Sequence, residues 1–354
     1  MYKIDAVDTL TFRGANPYDA GVNFHSASLF PPSPATYAGA FKNKNELKDR
    51  ELKVGFNGLM LDNEYAFPQP LDTIVVNDYI HAMHLEKSSH SSHELAYKLV
   101  PSQTVDKKLK IPGGAYLKLS AFAEYLEGTE QQAYVALGDF ITKETHTGIA
   151  MKCATHTTEK GMWYTEESIR LKTSNHTCSL VTDVIEKSPL VDGDIVKLGA
   201  NQRLATVTKT DGLTIKGPKT SKYFKLYFAT PAILKHGWLP RWLDPVTKEG
   251  VFTHKRRRVK LKLLAAAIGK PVPIGGYSNN GPRQMHLAIP AGSVYYFEVL
   301  EGKLENIEKL FHQKCISDYR NQLGFDYEWW SRLVYCDRGF GYTIVSSVEE
   351  EIFK

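Results

Sequence analysis

Cysteine is scarce in this chain: Cys153, Cys178, Cys315 and Cys336 are the only four in 354 residues, and no two form a CxxC pair. That spacing excludes a disulfide-dense secreted scaffold and a zinc ribbon, and leaves reduced thiols as the expectation. No apolar run approaches the roughly 18 residues that a membrane helix needs. The N-terminal MYKIDAVDTLTFRG lacks the basic-then-apolar order of a secretory signal. The expectation is a cytoplasmic protein without a membrane partner. Neither sign of charge dominates, with 44 basic and 39 acidic side chains and a formal net charge of +5. Any nucleic-acid reading must therefore rest on where the positive charge sits.

Enzyme signatures are equally sparse. His93-Glu94-Leu95-Ala96-Tyr97 opens like a zincin helix but carries Tyr97 where the second histidine would stand. Gly212 to Gly217 has P-loop spacing, with Pro218 in place of the phosphate-binding lysine. GxSxG and GxGxxG do not occur. His81, His84, His90 and His93 form two HxxH pairs, a spacing able to hold a metal on a helix. Their Ser-rich surroundings favour a solvated insertion, so no metal and no cofactor are expected. His25 could act as a general acid or base, but no partner for it can be read from the sequence. The chain is expected not to be an enzyme.

What is present is a globular composition, 42% hydrophobic and 11% aromatic, over a length suited to two domains. Alternation predicts strands at 1–12, 52–60, 194–200, 203–208, 223–230, 293–299 and 342–348. Residues 147–185 read as further strands, including a hairpin whose tip lies between Cys153 and Gly161. Pro34 after the N-cap candidate Ser33 predicts a helix start. Helices are also predicted over 115–127, closed by Gly128, and over 303–316, where Leu304, Ile307, Leu310, Phe311 and Cys315 share a face. Clustered strands with few helices between them give the class α+β.

Four features have RNA-binding character. The run from His254 to Lys262 includes Lys255, Arg256, Arg257, Arg258, Lys260 and Lys262, enough charge to hold several phosphates. Gly275-Gly276-Tyr277-Ser278-Asn279-Asn280-Gly281-Pro282-Arg283 combines close backbone approach with amides that can read base edges and with two stacking groups, Tyr277 and Arg283. Arg338-Gly339-Phe340-Gly341-Tyr342 repeats that pattern. The helix start offers unpaired N–H groups to an anion, with Ser33 and Thr36 as hydroxyl donors and Gly39 allowing close approach. Together they are expected to form one RNA surface.

These segments resemble the RAMP-superfamily subunit of type III-B CRISPR effectors, the third subunit of the Cmr complex. The resemblance begins with Asp8-Thr9-Leu10-Thr11-Phe12-Arg13 and Ser28-Leu29-Phe30-Pro31-Pro32-Ser33-Pro34-Ala35-Thr36, then Gly39-Ala40. It continues through Phe67-Pro68-Gln69-Pro70-Leu71-Asp72, the hairpin from Thr147 to Tyr164, and Leu198-Gly199-Ala200-Asn201-Gln202-Arg203. Thr230-Pro231-Ala232, Ala265 to Pro271, Ile274-Gly275-Gly276, Pro290 to Phe297 and Gly339-Phe340-Gly341 complete it in family order. The chain departs from the family pattern at Gly14-Ala15-Asn16-Pro17, at Phe41-Lys42 and in its reduced glycine content before Arg203.

The resemblance implies two ferredoxin-like (RRM-like) domains with β-hairpin and loop insertions, placed here at 1–172 and 173–354. It also implies a non-catalytic, guide-RNA-binding subunit used in antiviral defence. Such a subunit captures the repeat-derived 5′ tag of crRNA, docks the large polymerase/cyclase-type subunit and a backbone RAMP subunit, and meets target RNA only indirectly. It adds Arg13, Ser28 and Arg203 to the RNA-binding residues. Two other readings stand beside it: a guide-processing endoribonuclease of the superfamily using His25, and a purely structural assembly subunit. If the basic run holds phosphates, Lys255→Glu with Arg257→Glu weakens RNA binding and flattens its salt dependence in a filter-binding titration.

Overall fold

The computed structural model describes residues 1–14, 24–45, 52–88, 94–102, 111–186, 190–278, 281–282, 284–318 and 335–353. Strand far outweighs helix, in keeping with the α+β class. The first sheet is built from β1 (Tyr2–Ala6), β2 (Lys53–Leu61), β3 (Glu64–Pro68), β4 (Ala115–Lys118), β5 (Val135–Ala136), β8 (Cys178–Glu186), β9 (Asp194–Lys197) and β10 (Leu204–Lys209). Its spatial order is β5-β4-β3-β2-β8-β1-β10-β9. Between β5 and β8 the chain makes a long hairpin, β6 (Thr142–Lys152) and β7 (Thr157–Arg170). The second sheet contains β11 (Tyr223–Phe228), β12 (Glu249–His254), β13 (Arg257–Ala267), β14 (Val294–Gly302), β15 (Lys314–Cys315) and β16 (Tyr342–Val348), in the order β12-β13-β14-β11-β16-β15.

In each sheet four antiparallel strands stand in the order fourth-first-third-second, that of a ferredoxin-like sheet: β10-β1-β8-β2, and β16-β11-β14-β13. Each sheet keeps one crossover helix among the described residues. The first keeps α1 (Pro34–Asn45), between β1 and β2, and the second keeps α3 (Glu305–Phe311), between β14 and β16. The third helix, α2 (Leu119–Leu126), belongs to the insertion between β2 and β8 and packs between the sheets. The boundary expected at 172/173 falls inside the first sheet. β8 pairs with both β1 and β2, so the strands up to Lys209 complete the sheet that the N-terminus begins.

Burial follows this layering. One face of the first sheet packs Ile4, Leu59, Leu180, Val196 and Val207 against Tyr37 and Phe41 of α1. The outer face of the second sheet packs on α3 and on the segment 229–248, whose Leu234, Leu239 and Leu243 fill the place of a helix. Between the sheets lies an aromatic core in which Phe67 and Phe122 stack at 4.2 Å, and Phe122 meets Tyr227 at 4.9 Å. Each such ring contributes roughly 1.5–3 kcal/mol on burial.

The helix expected over 115–127 is shorter. Ala115, Tyr116 and Leu117 are buried in succession as a strand beside β3, and only 119–126 coils. Gly128 ends the helix as expected, at φ +88° with its N–H on Tyr125 O. α3 stops at Phe311, where β15 takes over. Strands β12 and β13 lie where the sequence reading saw only a charged run. Alternate residues Val259, Leu261 and Leu263 point into the core behind it.

A buried carboxylate sits at the centre of the interface between the sheets. Asp72 accepts hydrogen bonds from Tyr125 Oη at 2.8 and 2.9 Å and from Tyr296 Oη at 2.6 Å, with Lys225 Nζ at 3.7 Å. Lys225 Nζ also lies 3.5 Å from the Tyr125 ring centroid. Burial pushes the Lys225 pKa down, and Asp72 opposes that shift. Lys225→Ala strands the Asp72 charge, and urea unfolding is expected to show a loss of roughly 3–5 kcal/mol.

Candidate nucleic-acid interface

Proline at the first helical position starts α1, and Thr36 N–H reaches Ser33 O at 2.9 Å. Ser33 does not cap through its side chain: its Oγ is buried and makes no hydrogen bond. Thr36, Gly39 and Ala40 share one helix face and line an open groove of about 480 Å³. Phe12, Arg13, Lys197, Gly199, Ala200 and Asn201 form its other walls. Gly199 holds φ +77°, and a Cβ there would overlap Thr11 O, which accepts Ala200 N–H at 2.8 Å. This glycine lets the loop after β9 close against the Thr11–Arg13 segment. Ser28 is buried, and its Oγ accepts the Phe12 N–H at 3.0 Å. Its hydroxyl therefore supports the Phe12 backbone at the groove wall.

Arg203 stands behind this rim. Its Nη1 lies 3.8 Å from Asp8 Oδ2, and Arg170 Nη2 lies 3.1 Å from the other oxygen of Asp8. The Arg203 Nε is buried without a partner. Asn201 Nδ2 donates to both Glu166 oxygens, at 2.8 and 3.0 Å, tying the long β6–β7 hairpin to the groove. Lys197, Gly199 and Asn201 are not among the expected RNA-binding residues, although Gly199 and Asn201 lie in the segment 198–203 that resembles the family. The only signal for them was the Gly-Ala-Asn-Gln segment itself, in which Asn201 and Gln202 take positive φ, 56° and 52°.

A small apolar cluster gathers other segments beside α1. Ile233, Ile274, Ala288, Tyr335 and Phe340 pack together, and Ala35 of α1 packs against them. Gly275 and Gly276 follow Ile274 directly, so they emerge next to the helix start. Tyr277 lies in a two-residue strand paired with 281–282. Asn279 and Arg283 lie outside the described residues.

The C-terminal Arg338–Tyr342 segment departs from expectation. Phe340 is 0% and Tyr342 5% exposed, both as core residues, so neither ring can stack on a base. Gly339 and Gly341 have φ of +83° and +69°, and a Cβ on Gly339 would overlap Asn57 Nδ2. Val54 N–H donates to Asp337 O at 2.8 Å and Asn57 Nδ2 to Arg338 O at 3.2 Å. These glycines serve a clasp that presses the second sheet onto β2. Of this segment, Arg338 alone is half-exposed at the junction.

The basic run divides in two. Lys255, Arg256 and Arg258 are exposed at the β12–β13 turn, and Arg257 is half-buried. Lys260 and Lys262 pair with Glu249 at 3.3 and 3.9 Å along the hairpin. In register, Val259 meets Gly302 and Ala267 meets Val294, so the basic turn and the Gly275 loop sit at opposite ends of β13. That separation is roughly 30 Å at the usual strand rise. The expected single RNA surface is therefore two: a junction surface around α1 and a remote basic turn. His25 Nδ1 lies 2.8 Å from Thr165 Oγ1 on the hairpin. Among the described residues no His/Cys/Asp/Glu group is arranged for a metal, and His90 and His93 fall outside them. No helix among them is long and apolar enough to cross a membrane. With Phe340 a core ring, Phe340→Ala is expected to cost roughly 3–5 kcal/mol in denaturant unfolding and to leave RNA affinity of the folded protein unchanged.

Two solved structures share this fold. One is a chain of the type III-B Cmr-beta complex bound to cognate target RNA and AMPPnP, at TM-score 0.54 and 16% identity, covering 98% of each chain. The other is a chain of the type III-B Cmr-beta complex bound to cognate target RNA, also at TM-score 0.54 and 16% identity, covering 100% of this chain and 99% of that one. A search of curated protein sequences finds no match. The family model described as CRISPR-associated protein (Cas_Cmr3) matches residues 2–330. With the groove and all but the last of the matched motifs inside that span, the chain belongs to the Cas_Cmr3 family of CRISPR-associated proteins.

Proposed function

We propose that this chain is the non-catalytic guide-RNA-binding subunit of a cytoplasmic type III-B CRISPR complex. It holds the repeat-derived 5′ tag of crRNA and docks the large polymerase/cyclase-type subunit and a backbone RAMP subunit. The observation that carries this reading is the groove at the α1 N-terminus. Arg13 and Lys197 supply cations there, Thr36 and Asn201 supply hydrogen-bonding groups, and Gly39 leaves room for close approach. Such a set suits a single-stranded backbone with its bases turned outward. The fold relatives are chains of RNA-bound Cmr complexes, which supports the same partner class.

The non-catalytic part of the proposal rests on the chemistry at hand. His25 Nδ1 lies against the Thr165 hydroxyl on the hairpin, and His25 is not among the residues that line the groove. The test is binding of the purified chain, alone and with its large-subunit partner, to RNA with an intact or scrambled 5′ tag. Tag-dependent binding without cleavage is expected. Cleavage that His25→Ala abolishes would replace this reading with an endoribonuclease, and no RNA binding even with the partner would leave a structural subunit. Arg13→Glu with Lys197→Glu removes two phosphate contacts and is expected to lower the salt slope of binding by roughly 1.4.

A further inference from the structure

The crossover from β11 to β12 holds no α-helix. The segment that replaces it is fixed by a half-buried carboxylate. Asp318 Oδ2 accepts the backbone N–H of Lys235 at 2.9 Å and that of Arg241 at 2.5 Å, drawing both ends of a seven-residue loop to one oxygen. His236 N–H closes a turn on Leu239 O at 3.1 Å, and Leu243 N–H closes another on Pro240 O at 3.1 Å. Tyr295 Oη donates to Trp238 O from below. Leu239 and Leu243 are buried, so the loop is anchored from within while Lys235, His236 and Arg241 are exposed on its outer side. Asp244, the next acidic residue, directs its Oδ1 to Val246 and Thr247 N–H groups at 2.9 and 2.8 Å.

The position of this loop matters as much as its charge. Ile233 belongs to the junction cluster, its N–H bonded to Ser317 Oγ at 3.2 Å and its carbonyl accepting Asp318 N–H at 3.0 Å. Lys235 and His236 therefore leave the same cluster as Gly275 and the start of α1. A rigid loop with outward cations binds an anion with little ordering cost. We infer that Lys235, His236 and Arg241 form a further phosphate-contact element, taking the RNA backbone where it passes from the α1 groove toward the second sheet. This inference rests on the RNA-binding reading of the junction.

The test compares Lys235→Glu with Arg241→Glu against the groove pair Arg13→Glu with Lys197→Glu, using a single-stranded RNA carrying the intact 5′ tag and a salt titration. Both are measured in the full chain and in the reconstituted complex. The loop variant is expected to bind about tenfold more weakly, with a slope lower by roughly 1.4. Wild-type affinity and slope in the loop variant, with weakened groove variants, would overturn the loop assignment alone. Loss of large-subunit assembly with RNA binding intact would overturn it in favour of a protein contact. Failure of the wild-type chain to bind the RNA would remove the reading on which it rests. If the charge reversals unfold the loop, Lys235→Gln with Arg241→Gln carries the same comparison.

Discussion

The buried Asp72 carboxylate is the constraint on which the two-sheet body depends. It lies in the loop after β3, yet its partners come from α2 (Tyr125) and from β11 (Lys225) and β14 (Tyr296) of the second sheet. A carboxylate 2% exposed is tolerated only when its charge and lone pairs are answered. All three partners must arrive together, and that fixes how the second sheet sits on the first. The aromatic core around it supplies most of the burial but little direction. The polar centre fixes the alignment.

That alignment has a consequence at the edge of the body. Each sheet has one crossover helix among the described residues, and non-helical segments make its other crossover. The segment after β8 supplies Lys197, Gly199 and Asn201 to the groove, and the segment after β11 supplies the pinned loop from Lys235 to Arg241. A helix at either place would have spent its backbone polar groups on itself. A loop instead exposes backbone and side chains beside the N-terminus of α1, where backbone N–H groups and the helix dipole already favour an anion. The small cluster of Ile233, Ile274 and Phe340 holds the second of these segments beside the helix.

The charge distribution fits the same arrangement. A net charge of +5 is modest for an RNA-binding chain. Lys260 and Lys262 are balanced by Glu249, and Arg170 and Arg203 by Asp8. Positive potential is thereby concentrated at a few exposed positions, where it aids orientation as well as attraction.

Periodicity in the sequence determined the local structure. The helix start at Pro34, the strands at 53–61, 204–209 and 342–348, and the hairpin turning between Cys153 and Gly161 are set by alternation, proline and turn residues acting over short range. The ordered family motifs determined the family as well. What only the tertiary structure decided was which of those motifs face outward. Arg338-Gly339-Phe340-Gly341-Tyr342 and Arg13-Gly14 both pair an arginine with glycine, yet Gly339 to Tyr342 are buried in a clasp while Arg13 lines a groove. The basic turn and the Gly275 loop are neighbours in sequence, but an eleven-residue strand carries them to opposite ends of the sheet. Local sequence specifies backbone conformation, whereas exposure and proximity arise from contacts between residues hundreds of positions apart, and no window of sequence contains both partners.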